Sequence, residues 1–216
     1  MNKIFKAKVQ VKNSMERYYP KKINMISFYN SMYQINDVLS KNPKKVLIIW
    51  WGNYIEKYYF EKLWIDVVTI DIDNILKPDY ICSVSDIKDL DFKNNEFDII
   101  LACHVLEHIP FKYIKWILKE FSRISKYSII YLPFAKARFW FRFNFWLIGE
   151  FGFNIDIPIF MFKTHKFNGE HYWEIWTKWY SKKYMRKLFN EVFQIEKEYS
   201  NPYWAYSYNY ILKSKK

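Results

Sequence analysis

From Lys45 to Pro133 the chain repeats one pattern: a short apolar run, a polar or acidic residue, then an amphipathic stretch. The run "KVLIIW" shows no polar alternation, the mark of a strand buried on both faces. Strands of that kind belong to parallel sheets covered by helices on both sides. "YIEKYYFEKL" then reads as a helix, "DVVTIDID", "DYICSVSD" and "EFDIILACHVL" as three further strands, and "YSIIYLP" as a fifth, stopped by Pro133. Before the fifth, Tyr113, Trp116, Ile117, Phe121 and Ile124 share one face of a helix. Upstream, residues 22–40 place Ile23, Ile26, Met32, Ile35, Val38 and Leu39 at mostly helical spacing, and "KAKVQVK" alternates as a short strand would. Residues 134–180 break the pattern with dense aromatics and Gly149, Gly152, Pro158 and Gly169, which predicts an insertion over the sheet. "SKKYMRKLFNEV" opens on a Ser N-cap and predicts a helix. "FQIEKEYS" and "YSYNYILK" predict an antiparallel closing hairpin.

The expectation is one α/β domain built on a doubly wound, mostly parallel, seven-stranded sheet. It divides into a basic, helical extension (1–43), a core (44–133), an inserted lid (134–180) and a C-terminal helix with hairpin (181–216).

Composition narrows the classes. With 216 residues, 51% of them hydrophobic, a single packed domain is expected and global disorder is excluded. No run approaches the ~20 apolar residues of a membrane-spanning helix, and the first residues carry no secretory signal, so a cytoplasmic protein is expected. Cys82 and Cys103 sit in apolar runs without metal-type spacing and read as reduced core thiols. The formal charge of +12 admits nucleic acid or an anionic membrane as a partner. Lys is spread along the whole chain rather than clustered, so a solvated surface is the plainer reading. Nucleic acid therefore ranks low, and peripheral membrane contact stays open.

In open α/β sheets ligands bind beyond the C-terminal ends of the strands, near the point where the strand order reverses. The first strand is followed by Gly52, the second by Asp71 and Asp73, the third by Asp86, and the fourth by Cys103 and His104. Asp71 follows the glycine turn by about 20 residues, the spacing at which an acid reaches a pair of ribose hydroxyls.

The segments "VVTIDIDNILKPDYICSVSDIKDLDFKNNEFDIILACHVLEHIPF" and "ISKYSIIYLPF" carry a resemblance. "HVLEHIP" after "FDIIL" is its most specific part, and "GEHYWEI" adds a further segment. Over about residues 44–133 the sequence resembles the class I S-adenosylmethionine-dependent methyltransferases of the type 11 branch. The resemblance implies a Rossmann-like fold and S-adenosylmethionine as cofactor. It implies Gly52 in the cofactor turn, Asp71 on the ribose, Asp86 at the adenine amino group, Ile72 and Ile87 against the ring, and Cys103 and His104 on the methionine side. The implied activity is methyl transfer to an oxygen or nitrogen of a small-molecule or glycan or lipid-precursor acceptor. The first turn departs from the family pattern, roughly acid-x-G-x-G-x-G. Ile48 stands for the acid, Trp50 for the first glycine and Tyr54 for the last; only Gly52 remains. Trp50 either swings into the core or fills the pocket. The second outcome would make the chain a non-catalytic relative with an occluded cofactor site, used for protein binding.

The four histidines fall in two pairs. "HVLEH" sets His104, Glu107 and His108 at i, i+3, i+4, a spacing that can ligate a metal on a helix. The string also fits the H-x-x-E-H pattern of inverted zinc peptidases, but it directly follows a strand, and Pro110 interrupts any helix. Some methyltransferases bind a divalent ion through a similar turn. The plainer reading assigns no metal, places His104 near the cofactor and orients His108 by a hydrogen bond. "THKFNGEHYWEIW" gathers His165, Glu170, His171 and Glu174. His171, with His108, is the catalytic candidate: an imidazole titrating near neutrality suits a general base or an acceptor anchor. The alternative is a buried, paired histidine. In "RFWFRFNFWL", Phe139, Phe141, Phe143 and Phe145 alternate with Trp140, Arg142, Asn144 and Trp146. That reads as a hydrophobic cap on the sheet, as an acceptor pocket, or as a segment for a lipid interface.

Overall fold

Strands β1 (Lys45–Ile49), β2 (Asp66–Asp71), β3 (Tyr80–Ile81), β4 (Phe97–Cys103) and β5 (Ser125–Pro133) form the parallel part of one sheet in the computed structural model. The structure describes residues 25–49, 55–146, 149–158 and 161–215. The "KAKVQVK" segment and the turn with Trp50 and Gly52 lie outside the described residues. Strands β8 (Phe193–Ser200) and β9 (Ser207–Ser214) complete seven strands in the order β3-β2-β1-β4-β5-β9-β8. β9 runs antiparallel to β5 and β8, as the predicted closing hairpin requires. The chain leaves β1 toward β2 and β3, then returns to β4 on the other side of β1. The strand order therefore reverses at β1, and a ligand crevice is expected above the ends of β1 and β4.

Alternating side chains of β1 feed two cores, which is why its apolar run is continuous. Leu47 and Ile49 pack with Ile117 and Phe121 of α3 (Ile114–Ile124) and Met185 and Phe189 of α4 (Lys182–Phe189). Val46 and Ile48 pack with Ile35 and Val38 of α1 (Met25–Leu39) and Phe60 of α2 (Ile55–Lys62). Each such side chain, fully buried, contributes about 1.5–3 kcal/mol. The expected cap at α4 forms: Ser181 Oγ accepts from the Tyr184 N–H at 3.1 Å. A buried polar knot ties α1 to the sheet, where Asp37 Oδ2 accepts from Tyr131 Oη at 2.8 Å and Tyr199 Oη at 2.6 Å.

Two elements differ from the sequence reading. The third strand shrinks to two residues, because Ser83 Oγ accepts from the Ser85 N–H at 3.2 Å and starts a 3-10 helix over Val84–Leu90. The insertion begins as a separate two-stranded hairpin, β6 (Ala137–Phe145) with β7 (Gly149–Ile157), whose turn closes at Gly149 with φ +83°. Its aromatic row does not cap the sheet. Phe139, Phe141, Phe143, Phe153 and Ile155 are all exposed, and the register pairs Phe139 with Ile155 and Phe141 with Phe153. The reason lies on the other face. There Arg138 Nη1 donates to the Asn201 carbonyl at 2.6 Å, so period-two alternation turns the apolar row outward.

Candidate functional site

The ends of β1 and β2 and the turn after β4 border a narrow cleft. Ile49, Ile72, Val105 and Ile109 give it apolar walls, and Asp71 stands among them. Asp71 is buried, and its Oδ1 accepts from the Asp73 N–H at 2.8 Å, which holds the carboxylate at the strand end. Cys82 also lines the cleft; burial first, then Asp86 and Asp89, push its thiol up to about 11.

The remaining residues expected around the cofactor are less close together. Asp86 lies in the 3-10 helix after β3, with its pKa raised by burial against the opposing Ser85 hydroxyl bond. Ile87 is buried in the core beneath that helix rather than in the cleft wall. Cys103 and Ile48 point to the opposite core, under α1 and α2. On that side the first turn of α2 carries a buried carboxylate, Glu56, whose pKa is raised by burial. Burial, with the Glu56 charge next in size, raises the Cys103 thiol.

The turn after β4 carries the polar half of the site. His104 adopts φ +53°, a conformation strained for a residue with a Cβ. It is held there by its N–H to the Tyr131 carbonyl at 2.9 Å, and its ring lies 4.5 Å from that of Trp204. Next comes Glu107, fully buried, with neither carboxylate oxygen hydrogen-bonded among the described residues. Its contact with His104 Nδ1 is 3.4 Å.

Three bonds clamp residues 170–173 onto this turn. The Tyr172 N–H donates to the Glu107 carbonyl at 2.8 Å, Trp173 Nε1 to the Ile109 carbonyl at 3.0 Å, and His108 Nδ1 meets the Glu170 carbonyl at 3.0 Å. The clamp brings the two catalytic candidates together, with the rings of His108 and His171 perpendicular and 5.0 Å apart. His171 Nδ1 meets Glu174 Oε1 at 2.8 Å, and the same oxygen accepts from Tyr206 Oη at 2.6 Å. Burial lowers the His108 pKa against the pull of Glu107. For His171 burial opposes charging, but the Glu174 hydrogen bond and the nearby carboxylates outweigh it and raise the pKa. Glu174 also lines a second, larger and open cavity, together with Lys163, His165, Lys166 and Tyr206. Tyr206 escaped the sequence reading, since nothing but aromatic density distinguishes it there.

Residues 52–128 match the protein family described as a methyltransferase domain. Among solved structures, the fold resembles a Pyrococcus horikoshii protein at 14% identity and a TM-score of 0.57, covering 93% of this chain and 98% of the other. It also resembles the 1,6-didemethyltoxoflavin-N1-methyltransferase of Burkholderia thailandensis, solved with S-adenosylhomocysteine, at 12% identity and a TM-score of 0.58, covering 89% and 82%. The N-methyltransferase NodS of Bradyrhizobium japonicum, also solved with S-adenosylhomocysteine, matches at 6% identity and a TM-score of 0.57, covering 94% and 97%. No curated protein matches the chain. No helix of the described residues is long and apolar enough to cross a membrane.

Proposed function

We propose that the chain, whose residues 52–128 match a methyltransferase domain, is a class I S-adenosylmethionine-dependent methyltransferase that methylates an oxygen or nitrogen of an amphiphilic small-molecule or glycan or lipid-precursor acceptor. The observation that carries the reading is Asp71, buried at the end of β2 in an apolar cleft at the point where the strand order reverses. S-adenosylmethionine supplies the activated methyl group. Asp71 would hold the ribose hydroxyls, with Ile49, Ile72 and Val105 excluding water around the base. On the acceptor side, His171, fixed by Glu174, and His108, fixed by the Glu170 carbonyl, are the groups set to anchor an acceptor. Alignment of the reacting atoms can supply much of the acceleration. Two features support an amphiphilic acceptor. Lys163 and Lys166 line the larger cavity, which suits an anionic group, and the exposed Phe and Ile row of the β6–β7 hairpin suits an apolar one.

Calorimetric and thermal-shift titration with S-adenosylhomocysteine tests the cofactor assignment. Ligand at 100 times its dissociation constant stabilises by about 2.7 kcal/mol, a rise in Tm of roughly 5–10 °C for a domain of this size. Asp71→Ala should remove the shift. A second reading has its own support: Ile48, at the position of the family's acid, is buried in the core and cannot bind an ammonium group. A wild-type protein unmoved by millimolar ligand would overturn the methyltransferase reading and leave this one, a non-catalytic fold used for protein binding.

A further inference from the structure

We propose that Glu107, His108 and His171 form a divalent-cation site in the wall between the cofactor cleft and the larger cavity. The inference rests on the methyl-transfer reading only for what the cation would act upon. One ligand atom from each of the three residues lies within 4.8 Å of the others. Two imidazoles and a carboxylate are the donor set of zinc, manganese and similar ions, and three protein ligands leave a coordination position for another oxygen.

Three further observations support the site. Glu107 is fully buried, and its carboxylate accepts no hydrogen bond among the described residues. A buried carboxylate is costly unless a positive charge compensates it. Second, each histidine already uses Nδ1. The partner of His108 is a carbonyl and that of His171 is the Glu174 carboxylate, and both are acceptors. Nδ1 therefore carries the proton in the neutral rings, and Nε2 is the atom that would meet a cation. Hydrogen bonds of this kind orient imidazoles for a metal. Third, the clamp of residues 170–173 onto residues 107–109 fixes the three ligands across 64 residues of sequence, counted from Glu107 to His171. His108 also lines the cofactor cleft, while Glu174 behind His171 lines the larger cavity. A cation here would anchor an acceptor oxygen beside the methyl donor. His104, 3.4 Å from Glu107, is the competing counter-charge.

The test uses the whole chain, stripped with a chelator and titrated with Zn²⁺ by calorimetry without any methyl donor. A Co²⁺ spectrum would report nitrogen and oxygen ligation. One equivalent should bind the wild type, at least 100-fold tighter than it binds Glu107→Gln or His171→Ala. Glu174→Gln should weaken binding by roughly 10–100-fold, through loss of the orienting bond. Glu107→Gln should melt no lower than the metal-free wild type, because it removes a buried charge whose carboxylate accepts no hydrogen bond among the described residues, so loss of binding in that variant is not loss of fold. His165→Ala, outside the trio, should still bind one equivalent. Absence of equimolar binding in the wild type, or equal affinity in Glu107→Gln, overturns the proposal and leaves His104 as the counter-charge. The S-adenosylhomocysteine shift is read separately. If it survives while Zn²⁺ fails to bind, only the cation site is lost; the reverse result removes only the methyl-transfer reading.

Discussion

Asp156→Ala should loosen the aromatic hairpin from the sheet, and the structure sets the size of the effect. Asp156 Oδ2 accepts from Lys136 Nζ at 2.6 Å and from Arg138 Nη2 at 3.1 Å, while Oδ1 accepts from Arg138 Nε at 2.7 Å. The two cations are 1% and 4% exposed, and the carboxylate 23%. Both cations also reach Ser200 Oγ at the end of β8, so this triad is the root that joins hairpin to sheet. Removing one partner of a buried pair strands the other and costs about 3–5 kcal/mol. Here water reaches the partly exposed carboxylate and would partly solvate the cations, so the lower end, about 3 kcal/mol, is expected. That is roughly a 100-fold rise in the open population of the hairpin. Native-state amide exchange across residues 137–157 should speed up by that factor, with the β1–β4 amides unchanged. A rise under about threefold would mean that the triad contributes no more than a surface pair and would refute the reasoning. Lys136→Met in the same background should recover part of the loss, since it removes one stranded charge.

Other consequences follow from the same contacts. Burial, opposed by Asp156 and reinforced by Arg138, pushes Lys136 down to about 8, below its unfolded value of about 10.4. Between those values the unfolded chain binds more protons, so the Lys136 contribution to stability should rise with pH from about 8 to about 10.4. Urea midpoints compared with Lys136→Met would show it. Asp37→Ala should cost about 2–4 kcal/mol in urea unfolding, because the buried Tyr131 and half-buried Tyr199 hydroxyls lose a charged acceptor. Ser181→Ala should cost about 1 kcal/mol, a fall in Tm of roughly 2–4 °C. The double change Phe139→Ser and Phe141→Ser, on the exposed face, should leave S-adenosylhomocysteine binding intact while raising KM for an apolar acceptor.

The parallel sheet was legible because its strands are buried on both faces, and burial on both faces leaves an unbroken apolar run. β3 was not, since "DYICSVSD" has strand propensity throughout. The Ser83 side chain competes for the backbone and turns the chain into a 3-10 helix after two paired residues. The hairpin alternation was visible, but its outward direction depends on Lys136 and Arg138 meeting residues 200–202, contacts across more than 60 residues. Asp71 could be placed by counting along the chain from Gly52. Pairing His108 with His171 could not, because the contact is set by Trp173 Nε1 and the Tyr172 N–H reaching backbone carbonyls of a distant turn.

That contrast divides the site into two sources. In the proposed reading the donor cleft is made by strand ends within residues 49–109, fixed by the sheet itself. In that reading the acceptor side is made by His171, Glu174 and the hairpin, all from residues 134–180, with Tyr206 from the loop before β9. The insertion touches the donor half through the clamp on Glu107, His108 and Ile109, which are buried polar and apolar groups in one short turn. On the same reading, substitution in residues 134–180 should change acceptor preference without disturbing β1, β2 or β4, provided the clamp is kept. Substitutions at Trp173 or Tyr172 would instead alter both halves together: Trp173 is fully buried in the main core, and Tyr172 packs at its margin and supplies the backbone bond to Glu107.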